Sequence, residues 1–363
     1  MFANDFDEKK ARSYRANWAD DILCEDVARL TVTDLPSGAD LAWASFPCQD
    51  LSLAGNYRGL GQAGTTATTR SGTFWPFWSL MRKLAESGGA PKLIVLENVY
   101  GVLTSHAGRD FAAICSALDE EGYRFGAMVI DAVHFLPQSR QRVFFVAVAK
   151  GVNVPSSLTT DGPTDEWSPP ALIKAHVNVS LKAQRSWVWW KFPMPPICNI
   201  RLEDLIEENP KGVEWHSKRE TTHILKLMAP LHREKVKKAK QTNNTMVGTI
   251  YRRTRPLPDG GRTQRAEVRF DGLAGCLRTP AGGSSRQTIL VVKDGSVRSR
   301  LLSPREAARL MGLPESYKLP DRYNDAYHLC GDGICVPVVR ALADKVLEPI
   351  LMANREAHLI AAE

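Results

Sequence analysis

The stretch Phe46-Pro47-Cys48-Gln49-Asp50-Leu51-Ser52 stands where an apolar run, Asp40 to Phe46, gives way to a loop rich in Gly, Ala and Thr that extends to Ser71. A short apolar run bounded by turn residues is the pattern of a buried strand. The same alternation continues outward from it. Phe74 to Glu86 has helical spacing, Lys92 to Leu96 reads as a second strand, and Asp110 to Glu121 as a helix closed by Gly122. Phe125 to Val133 and Val143 to Val148 supply two further strands. Strands alternating with amphipathic helices predict an α/β fold built on a largely parallel sheet.

The chemically suggestive residues fall at the ends of these strands. Cys48, beside Pro47 and ahead of a polar loop, is placed to be exposed and reactive rather than packed. Glu97, in Leu96-Glu97-Asn98-Val99, ends the second strand. Pro137-Gln138-Ser139-Arg140-Gln141-Arg142 is a polar turn whose two arginines precede the last strand. Taken singly, each has an ordinary structural explanation: a packed cysteine, a solvated carboxylate, a basic turn.

From about Pro155 the texture changes to Pro-, Ser- and Thr-rich sequence, then to Trp187, Trp189 and Trp190, then to the basic run Arg233 to Lys240. Near Ser303 a helix resumes, with Ser303 as cap, Pro304 in the first turn and Glu306 three residues beyond the cap. A second helical stretch, Val336 to Leu351, is opened by Pro337.

Composition narrows the functional classes. A chain of 363 residues, 44% hydrophobic and 24% charged, has room for one large domain and a smaller one. Its formal net charge of +7 favours a polyanionic partner. The seven cysteines are scattered and odd in number, which argues against a disulfide framework and for a reducing, cytoplasmic setting. His328, Cys330 and Cys335 have no second ligand cluster at structural-zinc spacing, so no metal site is expected. No apolar run reaches 18 residues and no signal peptide is evident, so neither a membrane span nor secretion is expected.

Taken in order, the Pro47-Cys48-Gln49, Glu97-Asn98-Val99 and Gln138 to Arg142 strings resemble motifs of the DNA cytosine-5 methyltransferase family, bacterial or phage type. Leu302-Ser303-Pro304-Arg305-Glu306-Ala307-Ala308-Arg309-Leu310-Met311-Gly312 resembles that family's arginine-glutamate helix. Gly331-Asp332-Gly333 with Val336-Pro337-Val338 resembles its C-terminal motif. The resemblance implies a Rossmann-like sheet that binds S-adenosylmethionine, plus a smaller target-recognition domain. It places residues 1–154 in the catalytic domain, with 326–363 folding back onto it, and 155–325 in the recognition and small domain.

The implied chemistry explains the residue types. A thiolate adding to carbon 6 of cytosine turns carbon 5 into a nucleophile, which is covalent catalysis. The resemblance gives that role to Cys48. It gives Glu97, as an acid with a raised pKa, the contact to ring nitrogen 3. Arg140 would contact the base's carbonyl oxygen, with Arg142 and Gln138 holding the strand end and loop. The base must leave the helix to reach the pocket, so duplex DNA is the implied partner. The loop from Asp50 to Ser71 would close over it.

For the cofactor, Asn4-Asp5-Phe6-Asp7 resembles the segment whose acidic residue bonds the ribose and whose aromatic ring stacks on adenine, here Asp5 and Phe6. Asp26 and Val27 would contact the adenine; Pro47, Phe74 and Asp332 complete the implied set. The family's Phe-x-Gly-x-Gly-Gly turn, normally after its first strand, is missing. A longer natural start or a partner chain supplying that strand, or a catalytically silent DNA-binding relative, are the alternatives this raises. A cysteine hydrolase using Cys48 with His106 or His134 is a third.

Arg252, Arg253, Arg255, Arg262 and Arg265 are expected to contact phosphate or guanine, and Arg286, after the Gly282 to Ser285 segment, to approach the DNA backbone. The resemblance further implies a nucleoid-associated monomer and a cognate restriction endonuclease in the same system.

Overall fold

The computed structural model describes residues 1–18, 21–46, 73–256, 261–279 and 286–360, with backbone alone at 255, 256 and 356–360. The chain divides into two compact units. The first comprises Met1–Asp131, Gln141–Met194 and Val339–Glu363; the second comprises Ala132–Arg140 and Pro195–Val338.

In the first unit, β1 (Ala3–Asn4) and β2 (Ile22–Leu23) pair in parallel as a separate two-stranded sheet. The helix Glu8–Asn17 joins them, started by the Asp7 carboxylate, which accepts from the Lys9 amide. β3 (Leu41–Ser45) and β4 (Leu93–Val99) run parallel, with Ser45 opposite Glu97. After β5 (Tyr123–Asp131) the chain passes into the second unit, where Gln138–Ser139 form β6, and returns as β7 (Gln141–Ala149). β7 lies between β4 and β5 and is antiparallel to both, so the strand order is β3-β4-β7-β5.

The sheet is therefore mixed, where the sequence predicts a largely parallel one. Only residues 132–140 separate β5 from β7. So short a link cannot make the crossover that parallel neighbours need. The α/β character holds: Leu93 to Leu96 are fully buried. Phe74, Trp78 and Met81 of the helix Phe74–Glu86 share a core with Phe111, Ile114 and Leu118 of the helix Arg109–Glu120. Each such side chain contributes about 1.5–3 kcal/mol through burial.

The tryptophan-rich segment belongs to this first unit. β8 (Thr159–Thr160) pairs with β9 (Trp189–Trp190). Phe125 of β5 donates its amide to the Ser186 carbonyl at 2.9 Å and accepts from the Val188 amide at 2.7 Å. The approach is close enough to require glycine at 126, where a Cβ would lie 1.8 Å from the Val188 carbonyl oxygen. The boundary that composition places after residue 154 thus falls at Met194, because the tryptophans cover a sheet edge instead of building a domain of their own. At the other end only Val339 onward joins the first unit; the helix Tyr323–Asp332 belongs to the second.

The second unit holds β10 (Met246–Pro256), β11 (Arg262–Arg269), β12 (Ala274–Gly275), β13 (Thr288–Lys293) and β14 (Ser296–Leu301). Four of them form an antiparallel sheet in the order β11-β10-β13-β14, and β12 pairs in parallel with β6. Ile224, Met228, Val236 and Ala239, from the helices Lys218–Lys226 and Pro230–Lys240 and the turn between them, pack on Ile250, Val268 and Leu290. Among the described residues no helix is long and apolar enough to cross a membrane.

The helix Pro304–Leu310 begins as its sequence predicts, with Ser303 and Glu306 capping each other. Glu306 does more than cap. Fully buried, it accepts from both Arg300 Nη1 (2.7 Å) and Nη2 (2.6 Å) and from the Glu207 amide (2.8 Å). The Arg300 guanidinium in turn lies 4.9 Å from the Trp215 ring centre. Removing one member of a fully buried pair strands the other charge. Glu306→Ala should therefore lower unfolding stability by about 3–5 kcal/mol in urea titrations, far more than Glu315→Ala at the exposed Arg309 pair, for which about 1 kcal/mol or less is expected.

Candidate active site

β4 carries the centre of the site. Its core segment is fully buried, and its carboxyl end presents Glu97 and then Asn98, both buried. Sequence predicts that this strand stops at Leu96; pairing with β7 carries it on to Val99, opposite Arg142. Side chains two residues apart on a strand share a face, so Glu97 is the diagonal neighbour of Arg142. Arg142 Nε lies 3.0 Å from Glu97 Oε1. The pair is nearly dry, with side-chain exposures of 14% for Arg142 and 9% for Glu97, so the guanidinium compensates a carboxylate that water barely reaches.

Asn98 is a neighbour of Glu97 that sequence reasoning passes over. Its Nδ2 donates to the Phe46 carbonyl at 3.1 Å, and its Oδ1 accepts from the Val99 amide at 2.9 Å. The end of β4 is thereby bound to the last described residue before Pro47-Cys48. The signal was present in Leu96-Glu97-Asn98-Val99: a carboxamide entering a buried strand end needs partners for both of its atoms. Cys48, Pro47 and the loop from Asp50 to Ser71 lie outside the described residues.

The two arginines of Pro137 to Arg142 part company. Arg142 belongs to the first unit beside Glu97, whereas Arg140 and Gln138 belong to the second. Arg140, 3% exposed, donates from Nη2 to the carbonyls of Gly331 (2.9 Å) and Gly333 (2.6 Å), and from Nη1 to Cys276 Sγ (3.2 Å). A cation on the last carbonyls of the helix Tyr323–Asp332 meets the negative end of its dipole. The sequence reading gives Arg140 the base and Arg142 the strand end; the structure places Arg142, not Arg140, beside Glu97 and gives Arg140 backbone carbonyls as partners. Gln138 is fully buried and donates to the Leu310 carbonyl.

The residues expected to hold a cofactor divide similarly. Asp5 and Asp26 follow the carboxyl ends of the parallel strands β1 and β2, the place where open α/β sheets bind ligands. Asn4 Nδ2 ties these ends together, donating to the carbonyls of Leu23 (2.9 Å) and Glu25 (2.8 Å). Asp5 orders its own turn by accepting from the Asp7 amide, and Asp26 from the Ala28 amide. The Phe6 ring is 71% exposed and so is open to a flat ligand, and Val27 is half-buried. These four residues fit the adenosine part of S-adenosylmethionine. Phe74 does not: it is fully buried, stacked against Trp78 at 5.9 Å and close to Phe46 and Trp75, with no face left for a ligand. Asp332 is exposed on the last turn of its helix in the second unit.

Of the basic residues, Arg252, Arg253, Arg262 and Arg265 are exposed on β10 and β11. The side chain of Arg255 and the Gly282 to Ser285 segment lie outside the described residues. Arg286 is held internally, donating to Asn324 Oδ1 and lying 5.4 Å from the Tyr323 ring centre, so an approach to the DNA backbone would have to break these contacts. His106, considered as a hydrolase base, has Nδ1 3.1 Å from Asp110 Oδ2, and Asp110 is also bonded to Ser105.

Residues 1–348 match the family model described as C-5 cytosine-specific DNA methylase. The chain is 24% identical to the type II methyltransferase M.BsuFI of Bacillus subtilis over 98% of its own length and 69% of the relative's. It is 26% identical to M.NlaX of Neisseria lactamica over 95% of this chain and 88% of that one. The Entamoeba histolytica methyltransferase EhMeth shares the fold, with a TM-score of 0.57 at 12% identity over 96% of this chain and 90% of that structure. With that match over nearly the whole chain, and with β4 presenting a buried carboxylate that has an arginine at its side, the chain belongs to the C-5 cytosine-specific DNA methylase family, whose members depend on S-adenosylmethionine.

Proposed function

We propose that the protein methylates carbon 5 of a cytosine flipped out of duplex DNA, with Cys48 as the covalent nucleophile. The observation that carries this reading is the Glu97–Arg142 pair at the end of β4, bound through Asn98 to the chain that leads into Cys48. Cytosine offers a ring nitrogen and a carbonyl oxygen side by side. A carboxyl group and a guanidinium 3.0 Å apart match that edge. Glu97 as a carboxylic acid donates to ring nitrogen 3 and Arg142 donates to the carbonyl oxygen, drawing off the charge that builds when the Cys48 thiolate adds to carbon 6; once carbon 5 has gained the methyl group and lost its proton, the Cys48–carbon 6 bond breaks and the thiolate is released. Arg140 and Gln138 act as positioning residues. S-adenosylmethionine supplies the methyl group, its adenosine held by Asp5, Phe6, Asp26 and Val27. The likeness to type II methyltransferases supports a role as the modification partner of a restriction endonuclease. The same reading has the enzyme act as a monomer on cytoplasmic, nucleoid DNA.

One observation favours a second reading. β1 and β2 pair separately from the four-stranded sheet, and β3 has a partner only on its β4 side among the described residues. An added strand would find an open backbone edge there. In this second reading the chain does not bind cofactor by itself, and it binds DNA and leaves it unmethylated.

A duplex with 5-fluorocytosine at the target, incubated with S-adenosylmethionine, should trap a covalent adduct that Cys48→Ser abolishes. DNA binding without adduct, together with no measurable cofactor binding in calorimetry, would favour the second reading. The two arginines should separate cleanly. Arg142→Lys, which keeps a positive charge beside the nearly dry Glu97 carboxylate and loses the guanidinium's second donor, is expected to lower single-turnover methyl transfer by about 10²–10³ with little change in thermal melting. Arg140→Ala, which opens carbonyl contacts in a dry interior, should lower the melting temperature first.

A further inference from the structure

β10 and β11 form an antiparallel ribbon in which Tyr251 faces Glu267, Arg252 faces Ala266, Arg253 faces Arg265 and Thr254 faces Gln264. Side chains alternate across a strand, so Arg252, Thr254 and Gln264 share the face of Ala266 and Val268, which pack toward the helix Pro230–Lys240. Arg253 and Arg265 share the opposite face with Tyr251, whose hydroxyl lies so close over Gly275 of β12 that no Cβ fits there. From Arg252 to Thr254, and at Arg262, Gln264 and Arg265, the side chains are exposed.

The charge on this ribbon is largely uncompensated. Arg253 has Glu267 at 3.6 Å; Arg252, Arg262 and Arg265 have no carboxylate within ion-pair range among the described residues. Two guanidiniums directly opposite each other on one face repel. An anionic or acceptor-rich partner lying on that face removes the repulsion. A two-stranded ribbon is also of the width that the major groove admits, and a free guanidinium fork matches N7 and O6 of guanine.

We infer that the Arg252–Thr254 and Arg262–Arg265 ribbon enters the major groove of the DNA substrate, where Arg265 reads a guanine and Arg262 contacts a phosphate at the groove's rim. Arg253, already turned to Glu267, contributes less to base reading. The inference rests on duplex DNA being the substrate and is independent of whether methyl transfer occurs.

The test is a binding selection with the full chain on a random-sequence duplex pool. The unmodified protein should enrich a motif containing a guanine. Arg265→Lys, which keeps the charge and loses the fork, should relax preference at that one base pair by about 10-fold or more, with the salt slope retained. Arg265→Ala should do the same and reduce the slope. 7-Deazaguanine at the same position should weaken the unmodified protein and leave Arg265→Ala unaffected. Arg262→Ala should weaken all sequences evenly, with the slope reduced by about one. Identical enrichment by Arg265→Lys and the unmodified protein, no enriched motif at all, or indifference to 7-deazaguanine would each overturn the inference. Because binding is the readout, a failed 5-fluorocytosine adduct beside an Arg265-dependent motif would sink the catalytic reading alone.

Discussion

The hydrogen bond from Asn98 to the Phe46 carbonyl ties the carboxyl ends of β3 and β4 together, and the rest of the proposed site is arranged around that tie. β3 and β4 are parallel and in register, so their carboxyl ends emerge together, but register alone leaves the strand ends free to fray. A buried carboxamide that bonds the Phe46 carbonyl, just beyond the end of β3, removes that freedom. Such a bond contributes about 1 kcal/mol net, and losing one partner in a dry interior costs about 1–3 kcal/mol. The penalty for opening exceeds the gain on forming, which makes the bond an effective constraint on the chain entering Pro47-Cys48. Glu97, one residue earlier on β4, points to the opposite face and is available to Arg142. A single dipeptide thus serves two strands, one residue holding the backbone and the other presenting the carboxylate.

The antiparallel insertion of β7 follows from the same economy of chain. Returning through nine residues, it must run against β5, and its first residues then meet the last residues of β4. That is the only way Arg142 reaches the diagonal position beside Glu97. A parallel β7 would deliver its carboxyl end there, and the basic turn before it would lie at the far side of the sheet. Arg140, two residues earlier and outside the ladder, is free to serve the helix end at Gly331 and Gly333 instead.

Much of this was legible in sequence. The Phe74–Glu86 helix, the buried strand before Glu97 and the reciprocal Ser303–Glu306 cap are local features, written in periodicity and in capping residues three apart. Family likeness fixed the order of the motifs as well. What periodicity could not supply was partnership across distant sequence. Phe74 read as a ligand contact because its string matched one, yet three aromatic neighbours claim it. The tryptophans near residue 187 read as a new domain because their composition differs, though backbone bonds to Phe125 attach them to the edge of β5. Arg140 and Arg142 are equivalent as letters in a turn and become distinct only when one enters a ladder.

The net charge shows the same limit from another side. A total of +7 says little while most arginines are of unknown company. Once partners are assigned, Arg300 is seen to be neutralised by Glu306, Arg142 by Glu97, Arg309 by Glu207 and Glu315, and Arg269 by Asp271. None of these contributes much to an external field. The ribbon arginines do, because the strands that carry them place few carboxylates nearby and hold two guanidiniums face to face. A fold that stabilises itself through paired arginines can tolerate a short stretch of unpaired ones at a cost of a few tenths to about 1 kcal/mol per like-charged pair. Placing that cost on an exposed ribbon, and not in either core, keeps it removable by a partner that supplies the missing negative charge.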